Sequence, residues 1–251
     1  MRSREPGGVG GWFEFAKARG AHRMPAMEIG ALFDWDGVII DSARQHEESW
    51  ILLARECGEE LPHGHFKLGF GRKNEAIIAG ILKWTEDAKQ IAALSRRKEE
   101  LYRELVIAEG TEPLPGVREF LERLREAKVP CAIGSSTHRA NIETIFTITG
   151  LARYFSHVVA GEDVTVGKPN PQVFLLGAQR IGRAPARCVV FEDALPGLQA
   201  ALEGGMRAVA VATTHPVDGL EPWADRVVKQ LDELSVADLE AIVRSERSRD
   251  R

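Results

Sequence analysis

The stretch LFDWDGVIIDS, Leu32 to Ser42, sets three aspartates in one of the most apolar runs of the chain. Asp34, Asp36 and Asp41 follow or interrupt residues that have the character of a buried strand. Open parallel sheets bind ligands beyond the carboxyl ends of their strands. The stretch therefore predicts a buried strand that ends in a charged site, and this negative charge has to be compensated by other groups.

The sequence becomes helical directly after this stretch. Trp50, Leu53 and Ala54 recur at helical spacing, and Gly58 is a typical helix stop. Two further helices are predicted at about 74–83 and 86–109, with a loop from 59 to 75 before them. Because nothing from 43 to 110 has the pattern of a strand, we expect residues 43–111 to form a compact helical insert.

Beyond Pro113, short apolar strands alternate with amphipathic helices of about 10–15 residues. The predicted strands lie in the segments PCAIGSS, HVVAGEDV, RCVVFED and MRAVAVATT. This alternation is typical of parallel sheets with right-handed crossovers. The fold class predicted is α/β, a Rossmann-like doubly wound parallel sheet formed by residues 27–42 and 112–251, with the helical insert between them.

Charge and composition limit the partners of the chain. Residues 1–26 carry a net charge of +3 and the remainder −7, which disfavours a nucleic-acid surface. No run approaches the roughly 20 apolar residues of a membrane span. We expect a cytoplasmic protein, monomeric or weakly dimeric. Residues 1–26 are expected to be a disordered extension, or sequence upstream of a true start at Met24 or Met27.

Polar residues follow several of the predicted strands and are the candidates for a site. They are Asp34, Asp36, Ser135, Ser136, Glu192 and Asp193, with Lys168 on the loop after HVVA. Because the carboxyl ends of parallel strands meet at one edge of a sheet, we expect these four loops to converge.

Charge arithmetic predicts a metal ion in this site. Asp34, Glu192 and Asp193 together carry −3, and like charges about 4 Å apart repel by roughly 4 kcal/mol at an effective dielectric constant of about 20. Lys168 supplies only +1. A divalent ion held by carboxylates and a backbone carbonyl supplies +2, and hard oxygen ligands favour Mg²⁺.

Two aspartates at positions i and i+2 suit phosphoryl transfer. Asp34 is already a carboxylate and can attack phosphorus to form an aspartyl phosphate. Asp36 is placed to protonate the leaving oxygen and later to take a proton from the acceptor. The metal, Lys168 and the Ser135–Ser136 turn ahead of a helix are suited to hold an anionic substrate.

Four motifs in order resemble those of the haloacid-dehalogenase-like phosphotransferases, over about residues 29–230. They are DWDGV from Asp34, AIGSS ending at Ser136, GKPNPQVF from Gly167 and FEDALPG from Phe191. The resemblance implies that Ser135 binds phosphate, that Lys168 holds phosphate and nucleophile, and that Asp193 binds Mg²⁺ with Glu192 in support. It also adds Asp36 to the metal site. Dehalogenases of the family lack the second aspartate, so Asp36 favours phosphate chemistry.

The helical insert resembles the small cap of a subfamily that includes beta-phosphoglucomutase and many sugar-phosphate phosphatases. His46 matches a cap histidine that bonds the general acid in the mutases, and LGFGRKNE, with Gly69 and Arg72, is similar to their substrate loop. The resemblance implies substrate binding by His46, Gly69, Arg72 and Ser136, with Arg139 as a substitute cation for a distal phosphate. Leu68 stands where the mutases usually have lysine.

The function predicted is a magnesium-dependent phosphatase of a small phosphorylated metabolite, most simply a sugar phosphate, acting through an aspartyl phosphate. One alternative is a sugar-phosphate mutase of the beta-phosphoglucomutase type, in which a sugar hydroxyl, instead of water, receives the phosphoryl group. Another is a catalytically inactive binding protein. The presence of Asp34, Asp36, Ser135, Lys168 and Asp193 disfavours this last alternative.

Overall fold

A six-stranded sheet forms the centre of the molecule. The computed structural model describes residues 29–69 and 72–245. The strands occur in the order β3-β2-β1-β4-β5-β6, and all neighbouring pairs are parallel. Their bounds are β1 Gly30–Phe33, β2 Cys131–Gly134, β3 His157–Val159, β4 Cys188–Glu192, β5 Arg207–Val211 and β6 Arg226–Val228. The α/β prediction is confirmed, with one more strand than the sequence predicted.

Apolar residues of the central strands make the sheet a buried layer. Every residue of β1, β2 and β4 is buried, as expected for strands covered by helices on both faces. Phe33 of β1 stacks on Phe191 of β4, and Phe120 of a covering helix meets both rings edge-on. Strand β6 was not predicted, because Arg226–Val228 is short and only Val228 is buried.

Ten α-helices and one π-helical segment occur in the described residues. Their bounds are α1 Ala43–Cys57, α2 His65–Gly69, α3 Asn74–Ala76, the π-helix Ile77–Leu82, α4 Ala88–Glu109, α5 Val117–Glu126, α6 Arg139–Thr149, α7 Gln172–Arg180, α8 Leu195–Glu203, α9 Val217–Leu220 and α10 Val236–Arg244. Within these residues, no helix combines the length and the apolar character needed to cross a bilayer.

Helices α1 to α4 follow β1 directly and form a helical cap with its own small core. Trp50 and Leu53 of α1 pack with Leu101 of α4 and with the π-helical residues Ile77 and Ile78. Helix α1 ends, as predicted, at Gly58, which adopts φ 69°.

Two predictions for the cap needed correction. The predicted loop 59–75 contains the short helix α2, and the helix predicted at 74–83 is mostly π-helical. The boundaries 42/43 and 111/112 stay predictions, and residues 1–26 lie outside the described part of the chain.

Candidate active site

The sheet brings the first and fourth motifs side by side. Asp34 follows β1 and Glu192 ends β4, and these two strands are neighbours at the point where the strand order reverses. The backbone N–H of Asp34 donates to the carbonyl of Phe191 at 2.9 Å. The carboxyl edge at this reversal is where open α/β sheets bind ligands.

Lys168 connects the third motif to both carboxylates. Its Nζ donates to Asp34 Oδ1 at 2.7 Å and to Glu192 Oε1 at 2.8 Å. Burial alone would lower the pKa of Lys168, but the Asp34 and Glu192 carboxylates raise it above its usual range. The lysine is therefore a permanent cation.

Three buried acids form a cluster suited to a metal ion. Asp34, Glu192 and Asp193 each offer an oxygen, and these oxygens all lie within 4.8 Å of one another. Burial, then Glu192 and Asp34, raise the pKa of Asp193 to about 8, and burial also raises the pKa of Glu192. One lysine thus leaves the cluster short of positive charge, which a divalent cation with oxygen ligands would supply.

Two glycines leave room for this cluster. A Cβ on Gly197 would lie 1.7 Å from Glu192 Oε1, and a Cβ on Gly37 would lie 2.1 Å from Asp193 Oδ2. Gly37 also has φ 79°, which disfavours other residues. The carboxylates can therefore occupy their positions only because both sites lack a side chain.

Asp36 lies apart from the acidic cluster and is held by hydroxyl groups. The Ser42 and Thr137 hydroxyls donate to its two carboxylate oxygens. Burial, and after it the Asp34 carboxylate, raise the pKa of Asp36 to about 6, against the opposing effect of these hydrogen bonds. A group with this pKa can both donate and accept a proton near neutral pH. Its predicted participation in metal binding stays a prediction.

The two serines of the second motif differ in exposure. Ser135 is buried, its N–H donates to the carbonyl of Val159 at 3.0 Å, and its Oγ accepts from the N–H of Thr137 at 3.1 Å. Ser136 is exposed. The turn thus places Thr137 against Asp36, whereas Ser135 bonds to the turn itself and to β3.

His46 reaches the site from the cap. Its Nε2 lies 3.9 Å from Asp36 Oδ1, and its Nδ1 lies 2.6 Å from Nζ of Lys98. The ring stacks on Tyr102 with centroids 3.9 Å apart. Burial, and then Lys98, lower the pKa of His46 to about 3, so the imidazole is neutral.

The other predicted substrate residues are not gathered around the acids. Gly69 is buried, whereas Arg72 is exposed; its backbone N–H donates to the carbonyl of Gly69 at 2.9 Å. The guanidinium of Arg139 is paired with Asp163 at 2.6 Å and with the carbonyl of Val158. Arg139 is therefore already occupied at the end of β3, and its substrate role stays a prediction.

Several polar residues that contact the site were missed from the sequence. They are Ser42, Thr137 and Thr214 around the acids, and Lys98, Glu99 and Asn141 between cap and sheet. The signal available was weak: Lys98 and Glu99 lie in the charged run SRRKEE, which has the pattern of an exposed helix face.

Trp35, between the two motif aspartates, points into the core. Its side chain is fully buried and meets Phe146 edge-on, with ring centroids 5.4 Å apart. Its indole N–H has no hydrogen-bond partner in the described part of the molecule. The residue fills space beneath the site.

The chain is similar in sequence to known hydrolases. The haloacid dehalogenase-like hydrolase family matches residues 30–205. Over 223 residues the chain is 38% identical to the chloroplastic 5-amino-6-(5-phospho-D-ribitylamino)uracil phosphatase of Arabidopsis thaliana, covering 88% of this chain but 59% of that relative. It is 36% identical to the Escherichia coli fructose-1-phosphate phosphatase YqaB, covering 72% of this chain and 95% of that relative.

A solved structure has the same fold. Beta-phosphoglucomutase from Clostridium difficile superposes with a TM-score of 0.75 at 22% identity, over 86% of this chain and 97% of that one. At 22% identity, this similarity shows a shared fold, a sheet with a helical cap.

Proposed function

The chain belongs to the haloacid dehalogenase-like hydrolases and is a phosphoric monoester hydrolase, and from this we propose that it is a magnesium-dependent phosphatase acting through a phosphorylated Asp34. The observation that carries this proposal is the pairing of Asp34 with Lys168 next to an aspartate, Asp36, whose pKa is about 6. These are a carboxyl group paired with a cation, suited to act as the nucleophile, and an acid that can give up its proton near neutral pH.

The reaction has two half-reactions. A carboxylate oxygen of Asp34 attacks phosphorus, the ester P–O bond breaks, and Asp36 gives its proton to the departing alcohol. Asp36, now ionised, takes a proton from water as the water oxygen attacks phosphorus, and the bond to Asp34 breaks to release inorganic phosphate. Lys168 and the Ser135 hydroxyl are suited to bind the transferring phosphoryl oxygens.

The residues proposed to hold Mg²⁺ are Asp34 and Asp193, with Glu192 in support. Their carboxylates carry more negative charge than Lys168 offsets, and hard oxygen donors are those that Mg²⁺ prefers. When bound, the ion supplies positive charge next to the phosphate and the carboxylates. Asp36 is proposed to contribute as acid and base.

The substrate class we propose is a terminal phosphate monoester on a sugar or a polyol chain. Two relatives support it, since one is named for fructose 1-phosphate and the other for a phosphoribityl compound. Both names describe a phosphate at the end of a polyhydroxylated carbon chain. Such a chain would extend from Asp34 toward the cap, where Arg72 is exposed. The predicted cytoplasmic location and weak self-association stay predictions.

The test is a panel of phosphorylated metabolites that includes fructose 1-phosphate and phosphoribityl compounds, followed by phosphate release with Mg²⁺ and with EDTA. We expect Mg²⁺-dependent release from at least one sugar or polyol phosphate. Full activity in EDTA, or no release from any member of the panel, would contradict the proposal.

A second assay, which follows isomer formation, separates the phosphatase from the mutase. The placement of His46 near Asp36 favours this second candidate, because it matches the mutase resemblance. Isomer formation is followed with beta-glucose 1-phosphate primed by glucose 1,6-bisphosphate. We expect none above background, and isomerisation that exceeds phosphate release would establish the mutase instead.

A further inference from the structure

A fully buried carboxamide joins the cap to the sheet domain. Asn141 lies in the first turn of α6, the helix that follows the Ser135–Thr137 turn. Its Nδ2 donates to Glu99 Oε2, and its Oδ1 accepts from Arg103 Nη1 at 2.9 Å. Glu99 and Arg103 are four residues apart on α4 and therefore lie on one face of this cap helix, which hydrogen-bonds to both the NH₂ group and the oxygen of the amide.

Glu99 is itself buried and fully engaged. Its Oε1 accepts from Asn74 Nδ2 at 2.7 Å and from Lys98 Nζ at 3.1 Å. Burial alone would raise the pKa of Glu99, but Lys98 and the other partners lower it to about 2. The carboxylate is therefore ionised, and it requires each of its donors because an unpaired buried charge is costly.

This network continues to the proposed general acid. Lys98 is only 2% exposed and contacts His46 Nδ1 at 2.6 Å, while the other ring nitrogen of His46 lies 3.9 Å from Asp36. Thr137 connects Asp36 to the other side of this network. Its hydroxyl donates to Asp36, and it belongs to the turn that precedes α6, the helix that carries Asn141. Asp36 is thus approached from both sides by groups whose relative positions depend on the contact between Glu99 and Asn141.

We propose that Glu99 and Asn141 form a latch between cap and sheet domain, and that they are positioning residues that set His46 and Lys98 against Asp36. The proposal rests on the proposed function for its effect on turnover. The NH₂ group of Asn141 has to face the carboxylate of Glu99, and its oxygen has to face Arg103, so the latch favours an orientation of the cap that meets both requirements. An apolar contact of the same area would hold the domains together without this directional requirement.

A reciprocal exchange of the two groups tests the latch. In Glu99→Gln, the oxygen of the new amide still accepts from Asn74 and Lys98. Its NH₂ group then faces the NH₂ group of Asn141, so that two donors meet without an acceptor. In Asn141→Asp, two carboxylates face each other. The double variant Glu99→Gln with Asn141→Asp restores a donor–acceptor pair, and the new carboxylate still accepts from Arg103.

The activity readout is kcat/KM, which reports the steps up to phosphoenzyme formation, on two substrates. Fructose 1-phosphate has a poor leaving group that requires the proton of Asp36, whereas acetyl phosphate has a good one. We expect each single variant to lose about tenfold or more on fructose 1-phosphate, as for loss of a hydrogen bond to a charged group. The double variant should recover to within about twofold of the wild type.

Acetyl phosphate and a control variant distinguish positioning from a general loss of structure. On acetyl phosphate, all variants should stay within about twofold of the wild type, because little protonation is needed. Glu104→Gln is the matched control, since Glu104 is on the same helix but pairs within the cap, with Arg97 at 2.8 Å. It should change neither substrate. Equal losses on both substrates would overturn the positioning role.

Amide hydrogen exchange provides a readout that does not depend on the substrate. We expect both single variants to exchange faster in 88–109 and 139–149, and the double variant to return to the wild-type pattern. Should the wild type hydrolyse no member of the panel of phosphorylated metabolites, the proposed function fails while this exchange pattern still supports the latch. Unchanged exchange in the single variants, or a double variant no better than the worse single one, would overturn the latch.

Discussion

The carboxyl edge of the sheet and two residues of the cap loop, Leu68 and Arg72, differ in how far their side chains are buried. At the sheet, Lys168 binds both Asp34 and Glu192, and hydroxyls fix both oxygens of Asp36. On the cap, Leu68 is 61% exposed and Arg72 is exposed as well. The groups proposed for the chemistry are therefore held by contacts within the protein, whereas Arg72, proposed to bind the substrate, faces solvent.

The physical reason lies in how each region is supported. The sheet edge is formed by loops that follow parallel strands, and the backbone hydrogen bonds of the sheet hold the ends of these strands in place. On the cap, Leu68 lies in the short helix α2, and Arg72 precedes the short helix α3, which leads into a π-helix. Catalytic groups have to be held in fixed positions, which a rigid sheet provides. Exposed residues on a loop are suited to bind substrates of different shapes.

The largest effect expected concerns the sheet edge. Asp34→Asn should abolish turnover on every substrate, because an amide is a poor nucleophile, and should leave the fold intact. Phosphate release and thermal melting together test this. Appreciable turnover by this variant would show that the preassembled edge does not supply the nucleophile.

A pair of glycine substitutions compares the two regions directly. Gly197→Ala places a Cβ 1.7 Å from Glu192 Oε1 and should displace that carboxylate, whereas Gly80→Ala in the cap meets nothing within 4 Å. We expect the apparent affinity for Mg²⁺ to fall about 10–100-fold in the first variant and to stay unchanged in the second. Magnesium titrations of activity measure both. Equal affinities would mean that Glu192 does not support the metal.

Arg72→Ala tests whether the cap loop reads the substrate. A surface arginine that binds a distal anionic or hydroxyl group should contribute about tenfold, the low end for hydrogen bonds to charged groups. The loss should appear in kcat/KM for substrates long enough to reach the cap, and acetyl phosphate is the control. A variant unchanged on every substrate would remove Arg72 from the substrate site.

The smallest effects expected are on stability, and their pH dependence differs between the regions. The pKa of Asp193 is raised from 3.8 to about 8, so its contribution to stability is present at low pH and is lost as pH rises toward about 8. The pKa of Glu99 is lowered from 4.5 to about 2, so its contribution is present above about pH 4.5 and is lost as pH falls toward about 2.

Melting curves in EDTA test these signs. Asp193→Asn should gain melting temperature over the wild type as pH rises from about 5 to about 8. Glu99→Gln should be less stable than the wild type by an amount that is nearly constant over the same range. If the melting temperatures of Asp193→Asn and the wild type changed in parallel with pH, the Asp193 carboxyl would not be destabilised by its burial in the acidic cluster.

A linear pattern in the sequence locates the polar residues of the sheet edge, whereas no such pattern indicates the contacts of the cap. Asp34, Ser135, Lys168 and Asp193 each lie directly after an apolar strand or on the loop that follows one, so a linear pattern locates them. The contact of Glu99 with Asn141 joins residues 42 positions apart on different domains. No local pattern encodes it, because the charged run around Glu99 resembles a solvated helix face until tertiary packing buries it.

The same reasoning explains the smaller differences. Strand β6, of three residues, is too short to be recognised in the sequence, and it pairs in parallel with β5 at the edge of the sheet. Arg139 had the charge expected of a phosphate ligand, but its neighbour in space, Asp163, could not be foreseen from its position 24 residues later.

The most direct test of the account is detection of the phosphorylated nucleophile. The Asp36→Asn variant, incubated with acetyl phosphate and Mg²⁺ and then quenched rapidly, should accumulate the intermediate because its breakdown needs a base. Borohydride reduces an acyl phosphate to an alcohol, so peptide mass spectrometry should find homoserine at position 34. An acid-stable phosphate on a serine, or no modification at Asp34 during turnover, would contradict the account.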